Sequence, residues 1–230
     1  MAHTTTRTPA PAVVHIQRML GKIDRLRLPA RSRRDVECIL IRQVAEELDR
    51  AVPSHAGHGT RTAHIARLIG LELALDPEAL HHLRLAAYLH DIGLLLLPPT
   101  LAHSTGLLDS ESYRTVQCHA KLGGQFLEPF AFLHQASVIV AHHHERWDGS
   151  GYPFGIRGRF IPLEARILSV ADTFDAIDVP GADSRDVRDH VACRIIRAAS
   201  GTQFDPSLAG TLEQILWKRE STRKTVQIDE

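Results

Sequence analysis

Proline stands just inside the start of one apolar, helix-period run after another, and this punctuation constrains the chain more than anything else in it. Asp76-Pro77-Glu78 offers an N-cap, a proline at the first helical position and an acidic first turn, which predicts a helix over 77–91. Pro129 opens 130–144, Pro162 opens 162–178, and Asp205-Pro206 opens 206–219. Asp109 or Ser110 caps 110–127, and Gly201 follows 184–200 where a helix-terminating glycine is expected. Two earlier amphipathic helices are separated by Pro29. One carries Val13, Ile16, Leu20, Ile23 and Leu26 on one face; the other carries Val36, Ile39, Leu40, Val44 and Leu48. No run alternates with period two. The fold class is therefore all-α. The one long irregular stretch is 147–161, which holds Gly149, Gly151, Gly155 and Gly158, and loops of that length inside a helical domain are usually functional.

Composition narrows the class further. At 230 residues the chain is long enough for one sizeable core, and 43% hydrophobic with 23% charged residues is the balance of an ordinary globular protein. The net charge is zero, so no bulk attraction to DNA or to an anionic membrane is expected. Three distant cysteines, Cys38, Cys118 and Cys193, give neither a disulfide framework nor a CxxC site and favour a reducing compartment. Neither a signal peptide nor a membrane span is readable, since the apolar run Ile92 to Leu97 ends at Pro98-Pro99. These features read as cytoplasmic. The expected layout is a disordered tail at 1–12, amphipathic helices at 13–50 that pack on or extend the bundle, a main domain at 51–220 and a polar tail at 221–230.

The departure from average is histidine, at 15 residues. His3, His15, His103 and His134 are scattered and read as surface imidazoles; His55, His64, His81 and His82 read as surface or core-edge positions. The clusters differ. His90-Asp91 follows the apolar run AAYL, so both lie at the buried end of a helix. A carboxylate there has two oxygens with which to bridge two cations, while the imidazole binds one of them; taken alone, an HD dipeptide is weak evidence. His143-His144-Glu145 leaves a helix into the glycine-rich loop, with His142 judged not to be a ligand. His58 begins a helix, and His119 lies on the apolar side of its own. Asp172 sits among Ile167, Leu168 and Val170, where a buried carboxylate without a cation or donors would be expensive. Asp175, one turn on, reads as a supporting residue.

Taken in order, His58, His90-Asp91, His119, His143-His144 and Asp172 resemble the metal-ligand series of the HD-GYP family. The stretch HHERWDGSGYPFGIRGRFIPLEARILSVADTFDA is nearly that family's pattern, and LHDIG, HAKLGG and GTQFDP match as well. The resemblance covers roughly residues 50–215. It implies an HD-type multi-helix bundle with a long glycine-rich GYP loop, and hydrolysis of cyclic di-GMP or pGpG by a metal-bridging hydroxide. It also implies two divalent ions drawn from iron, manganese or zinc. Asp91, with His90 the catalytic pair, would bridge the ions; His58, His90 and Asp172 would serve one of them, His119, His143 and His144 the other. A third ion in some members needs a glutamate at the position of Ser54, which argues for two here. Gly149, Gly151 and Pro153 shape the loop, and Glu145 and Asp148 are expected to hold either that loop or the ligand histidines by hydrogen bonds; Tyr152, Arg157 and Arg185 are candidate substrate contacts.

The chain also departs from the pattern. Leu94 replaces a phosphate-binding lysine, and Gly181 and Ser184 stand where the family carries basic residues. Lost charge-assisted contacts of about 1.5–3 kcal/mol each would weaken dinucleotide binding by decades while leaving metal binding intact. Arg146, Arg157, Arg159 and Arg185 are the nearest replacements. Three functions follow: a phosphodiesterase of reduced activity, a degenerate signalling module that binds metal and partner proteins without turnover, and a phosphohydrolase for another nucleotide. The partners implied are a cyclic dinucleotide, signalling proteins and a second copy docked through the N-terminal helices.

Overall fold

A computed structural model describes residues 10–228 except 103, 105, 179 and 181–184. Its helices are α1 (Pro11–Asp24), α2 (Ala30–Ala51), α3 (His58–Glu72), α4 (Pro77–Leu89), α5 (Pro99–Ala102), α6 (Ser110–Leu127), α7 (His134–His142), α8 (Leu163–Ala176), α9 (Arg185–Ala198) and α10 (Pro206–Ile228). Short 3-10 turns lie at Pro53–His55, His90–Leu96, Ala131–Leu133 and Gly158–Phe160. Among the described residues there is no strand, so the all-α expectation holds, and no helix is long and apolar enough to cross a membrane.

The punctuation acts as its chemistry requires. The Asp76 carboxylate accepts from the N–H groups of Glu78 and Ala79, and Asp109 accepts from those of Glu111 and Ser112, so α4 and α6 begin where their caps stand. Three expectations shift. The segment after Pro129 first makes the 3-10 turn Ala131–Leu133, and the α-helix starts only at His134. The tail expected at 1–12 gives way to helix at Pro11, because proline serves at a first helical position; residues 1–9 lie outside the described ones. The tail expected at 221–230 is helical to Ile228, as an extension of α10.

On α1 the expected stripe is buried at Val13, Ile16, Leu20 and Ile23, whereas Leu26 lies beyond the helix and is exposed. On α2 the buried positions are Cys38, Ile41, Val44, Ala45 and Leu48, and Ile39 is 61% exposed. Val44 and Leu48 are buried as expected and Leu40 packs against the core. In the first half of the helix, however, Glu37 and Cys38 are buried instead of Ile39, Glu37 with a hydrogen bond from His81 (2.8 Å). Both stripes join the same core as Ile69, Leu83, Leu89, Leu127, Val140 and Leu168, so α1 and α2 extend the bundle.

α3 packs on α4 and α8, α6 on α7 and on the His90–Leu96 turn, and α4 on α2, α7 and α8. Two of these approaches tolerate no side chain. A Cβ on Gly93 would lie 2.0 Å from the His119 carbonyl oxygen, and one on Gly124 would lie 2.8 Å from Cβ of Ala141. Glycine at these places lets the His90–Leu96 turn and α7 both close against α6. That closeness brings the histidines together.

Candidate metal centre

Five helical segments bring ligand-type side chains to one place. His58 opens α3, His90 terminates α4, Asp91 follows in the 3-10 turn, His119 rides on α6, His143 and His144 terminate α7, and Asp172 lies on α8. His90, His119 and His143 each donate Nδ1–H to the backbone carbonyl three residues earlier, at 2.9, 2.7 and 2.6 Å. His58 places Nδ1 against the Asp175 carboxylate at 2.8 Å. With Nδ1 so engaged, Nε2 of each ring faces the centre, the arrangement that metal-binding histidines use.

The side chains fall into two clusters whose ligand atoms lie within 4.8 Å of one another: His58, His90 and Asp172, and His119, His143 and His144. Asp91 stands between them. Its Oδ2 is 3.4 Å from His90 Nε2 and its Oδ1 is 3.7 Å from His119 Nε2. In the first cluster His58 Nε2 contacts Asp172 Oδ1 at 2.9 Å and His90 Nε2 at 3.2 Å. In the second, Nε2 of His119 and of His143 is buried with no hydrogen-bond partner. Such atoms are rare in folded proteins because an unpaired buried polar group is costly. Imidazole and carboxylate donors in this number, with two imidazole nitrogens unpartnered, fit divalent ions.

The charge distribution divides along the same line. Burial lowers the His58 pKa, but hydrogen bonds to Asp172 and Asp175 outweigh it and raise the value to about 10. His90 is raised too, its burial overcome by Asp91 and Asp172. Burial, reinforced by neighbouring histidines, holds His143 well below its ordinary value and takes His144 down to about 4. Asp91 and Asp172 are also held below the carboxylate range: burial opposes their ionisation, but histidines surrounding both overcome it. The first cluster thus attracts positive charge; in the second, His143 and His144 offer neutral imidazoles.

The remaining expected residues frame the centre. Asp175 holds His58 and is itself gripped by Arg61, whose Nε lies 2.9 Å from Oδ1 and 3.0 Å from Oδ2. Glu145 is buried; its Oε1 accepts from the N–H groups of Phe154 (2.6 Å) and Gly155 (3.2 Å), pinning the GYP loop to the end of α7. Asp148 is exposed and bonds within its own turn to Ser150, so it holds the loop locally and touches no ligand histidine. Gly149 adopts φ +87°, and a Cβ on Gly151 would collide with the backbone of His144 and Arg146. Pro153 follows a cis peptide bond, and the Tyr152 ring lies 4.9 Å from that of His144. Loop residues Trp147 and Asp148 donate their N–H groups to Gln203 and Thr202, which explains why the GYP and GTQFDP stretches occur together.

The expected phosphate contacts are less well placed. Arg157 is exposed with its Cβ beside Gly149, and Arg146 is tied to Ser150. Gly181, Ser184 and the Arg185 side chain lie outside the described residues. Leu94 is 5% exposed and packed in the core. Sequence reasoning missed two neighbours of the centre. Arg61 gave no sign, being one more basic residue on a helix. His55, read as a surface or core-edge residue, places Nε2 3.7 Å from Asp91 Oδ2; its nearness in sequence to His58 was the available signal.

These side chains could hold metal ions, and comparison with known proteins is consistent with that. A model of the HD domain family matches residues 42–208, and the chain belongs to that family. The resemblance to its HD-GYP group stands with it. Over 178 residues the chain is 34% identical to the "Cyclic di-GMP phosphodiesterase response regulator RpfG" of Xanthomonas campestris, covering 74% of this chain and 47% of that protein. It is 33% identical over 181 residues to the "3'3'-cGAMP-specific phosphodiesterase 3" of Vibrio cholerae, covering 79% and 39%. The chain thus spans less than half the length of these relatives. Among solved structures, the cyclic GMP-AMP-specific phosphodiesterase V-cGAP3 of V. cholerae superposes with a TM-score of 0.54 at 21% identity, over 89% of this chain and 48% of that one. The PgpH HD domain of L. monocytogenes, solved with cyclic-di-AMP, gives 0.55 at 15% identity, over 75% and 92%. At these identities the superpositions establish a shared fold.

Proposed function

We propose that the chain is a metal-dependent phosphodiesterase that cleaves a cyclic dinucleotide, cyclic di-GMP first, or its linear product pGpG. The observation that carries this reading is Asp91, which turns one carboxylate oxygen toward each of two ligand clusters. Two divalent ions, drawn from iron, manganese or zinc, would supply a water nucleophile at neutral pH and neutralise charge on the phosphate. The residues of the chain do the rest. His58, His90 and Asp172 hold one position, and His119, His143 and His144 the other. The Nδ1 contacts of four of these rings fix which nitrogen faces inward. Asp175 and Arg61 orient His58, and Glu145 holds the GYP loop so that Tyr152 covers the face of His144. The relatives' names, which include both cyclic di-GMP and 3'3'-cGAMP, support the substrate class.

A second reading is favoured by Leu94, whose burial in the core leaves no cation at the place where the family binds phosphate. On that reading the chain binds metal and signalling proteins without turnover. Hydrolysis of another nucleotide is a third. Metal-loaded protein tested against cyclic di-GMP, 3'3'-cGAMP, cyclic-di-AMP and pGpG separates them. Turnover that Asp91→Ala abolishes supports the first reading. Two bound ions with no hydrolysis of any dinucleotide would replace it with the second.

A further inference from the structure

The elbow between α2 and α3 is unusually well fixed for a connection. Gly57, at φ +73°, donates its N–H to the Asp49 carboxylate at 2.9 Å, and the 3-10 turn Pro53–His55 is closed by His55 N–H to Val52 and Ala56 N–H to Pro53. Arg61 adds a contact from its guanidinium to the Ala56 carbonyl at 3.2 Å while gripping Asp175. The elbow is thereby tied to the residue that orients His58. Its His55 side chain faces the centre.

His55 is placed differently from the seven ligand-type side chains. Its Nδ1 lies 3.1 Å from Ser54 Oγ, which leaves Nε2 pointing at the bridging carboxylate, 3.7 Å from Asp91 Oδ2. That gap is too long for a hydrogen bond. The two clusters that could each hold an ion form without His55. Its side chain is 37% exposed against 14% for Asp91, so it lies on the solvent side, from which a substrate must come. A phosphate meeting the ions from that side would find an imidazole nitrogen beside it, on a rigid elbow. Leu94, buried in the core, offers nothing comparable.

We propose that His55 contacts the substrate phosphate at the mouth of the centre, donating from Nε2 to a non-bridging phosphate oxygen. The Ser54 hydroxyl holds the ring by its other nitrogen. The inference rests on the two-ion phosphodiesterase reading and adds a specificity residue to it. A donor held in place before binding loses little on binding.

The test compares wild type, His55→Ala and His55→Gln, each loaded with manganese, by ion content, by calorimetric titration with inorganic phosphate, and by kcat and KM for cyclic di-GMP. The expected result is unchanged ion content in all three proteins. Phosphate affinity should fall about 10-fold or more in His55→Ala, with KM rising by a similar factor, and His55→Gln should restore part of both. Unchanged phosphate affinity with ions retained would overturn the proposal. So would loss of an ion in His55→Ala, since His55 would then be a ligand. If wild type turns over no dinucleotide, the parent reading falls, yet the phosphate titration still decides whether His55 meets a phosphate.

Discussion

The two halves of the centre solve one problem by opposite means. His58, His90 and Asp172 form a cluster with a carboxylate inside it, closed by contacts of 2.9 and 3.2 Å, and its histidines are held above their ordinary pKa. His119, His143 and His144 contain no carboxylate, two of their Nε2 atoms have no partner, and burial holds His143 and His144 neutral. In the absence of metal, the first half satisfies itself with a proton shared among its own groups. The second is kept in order by backbone carbonyls that hold Nδ1 of His119 and His143 and by the Tyr152 ring against His144. An ion entering the first half must displace a proton, whereas one entering the second meets ready lone pairs. Asp91 alone belongs to both.

The difference can be broken most severely at the seam. Gly93→Ala places a Cβ 2.0 Å from the His119 carbonyl oxygen and 2.7 Å from the Gly123 nitrogen, both backbone atoms that cannot turn aside. The His90–Leu96 turn must then lift from α6, carrying Asp91 away from His119. The expected loss is about 1–3 kcal/mol of stability, together with a drop in bound ions. Chemical denaturation and elemental analysis read both, and a variant of wild-type stability and ion content would show that the seam does not need its glycine.

A gentler change should divide the halves. Asp175→Asn weakens the hold on His58 without touching the second cluster. Removing such a support typically costs about 10–100-fold in metal affinity. That loss is expected for one ion only, resolved as one weakened and one unchanged site in a calorimetric titration. Equal weakening of both sites would erase the distinction between the halves.

The smallest effect is in the pH dependence of the metal-free protein. His58 has a folded pKa of about 10, above its ordinary 6.5, so its contribution to stability is present below pH 6.5 and is lost as pH rises toward 10. For His144 the folded value is about 4, so stability present above pH 6.5 is lost as pH falls toward 4. Melting temperatures of the metal-free protein between pH 4 and 10 should therefore decline on both sides. His58→Gln should flatten the alkaline limb and His144→Gln the acidic one. Flattening of the wrong limb in either variant would reverse the assignment of proton and lone pair.

Much of this was legible in the sequence, and unevenly so. Helix starts were readable because Asp76 and Asp109 act through bonds to residues two and three positions on, a purely local matter. The ligand-type residues were readable because His58, His90, Asp91, His143 and His144 stand where helices begin or end, because His119 and Asp172 lie on apolar helix faces, and because the order resembles a known series. The buried stripe of α2 was misjudged at Ile39, since it depends on Glu37 meeting His81 across 44 residues. Arg61 and His55 were passed over for the same reason: their partners, Asp175 and Asp91, come from other helices. The roles of Gly93 and Gly124 are set by α6 and α7 closing on them, which no local pattern announces. The expected substrate contacts remain the least defined part, with Arg157 exposed in the loop and Leu94 committed to packing.

The central claim is that one carboxylate joins two separate ion positions, and ion stoichiometry under paired mutation tests it most directly. Manganese should bind metal-free wild type at two ions per chain, with one remaining in His58→Ala, one in His143→Ala and fewer than one in Asp91→Ala. A single ion in wild type, or an Asp91→Ala protein that still holds both, would contradict the account.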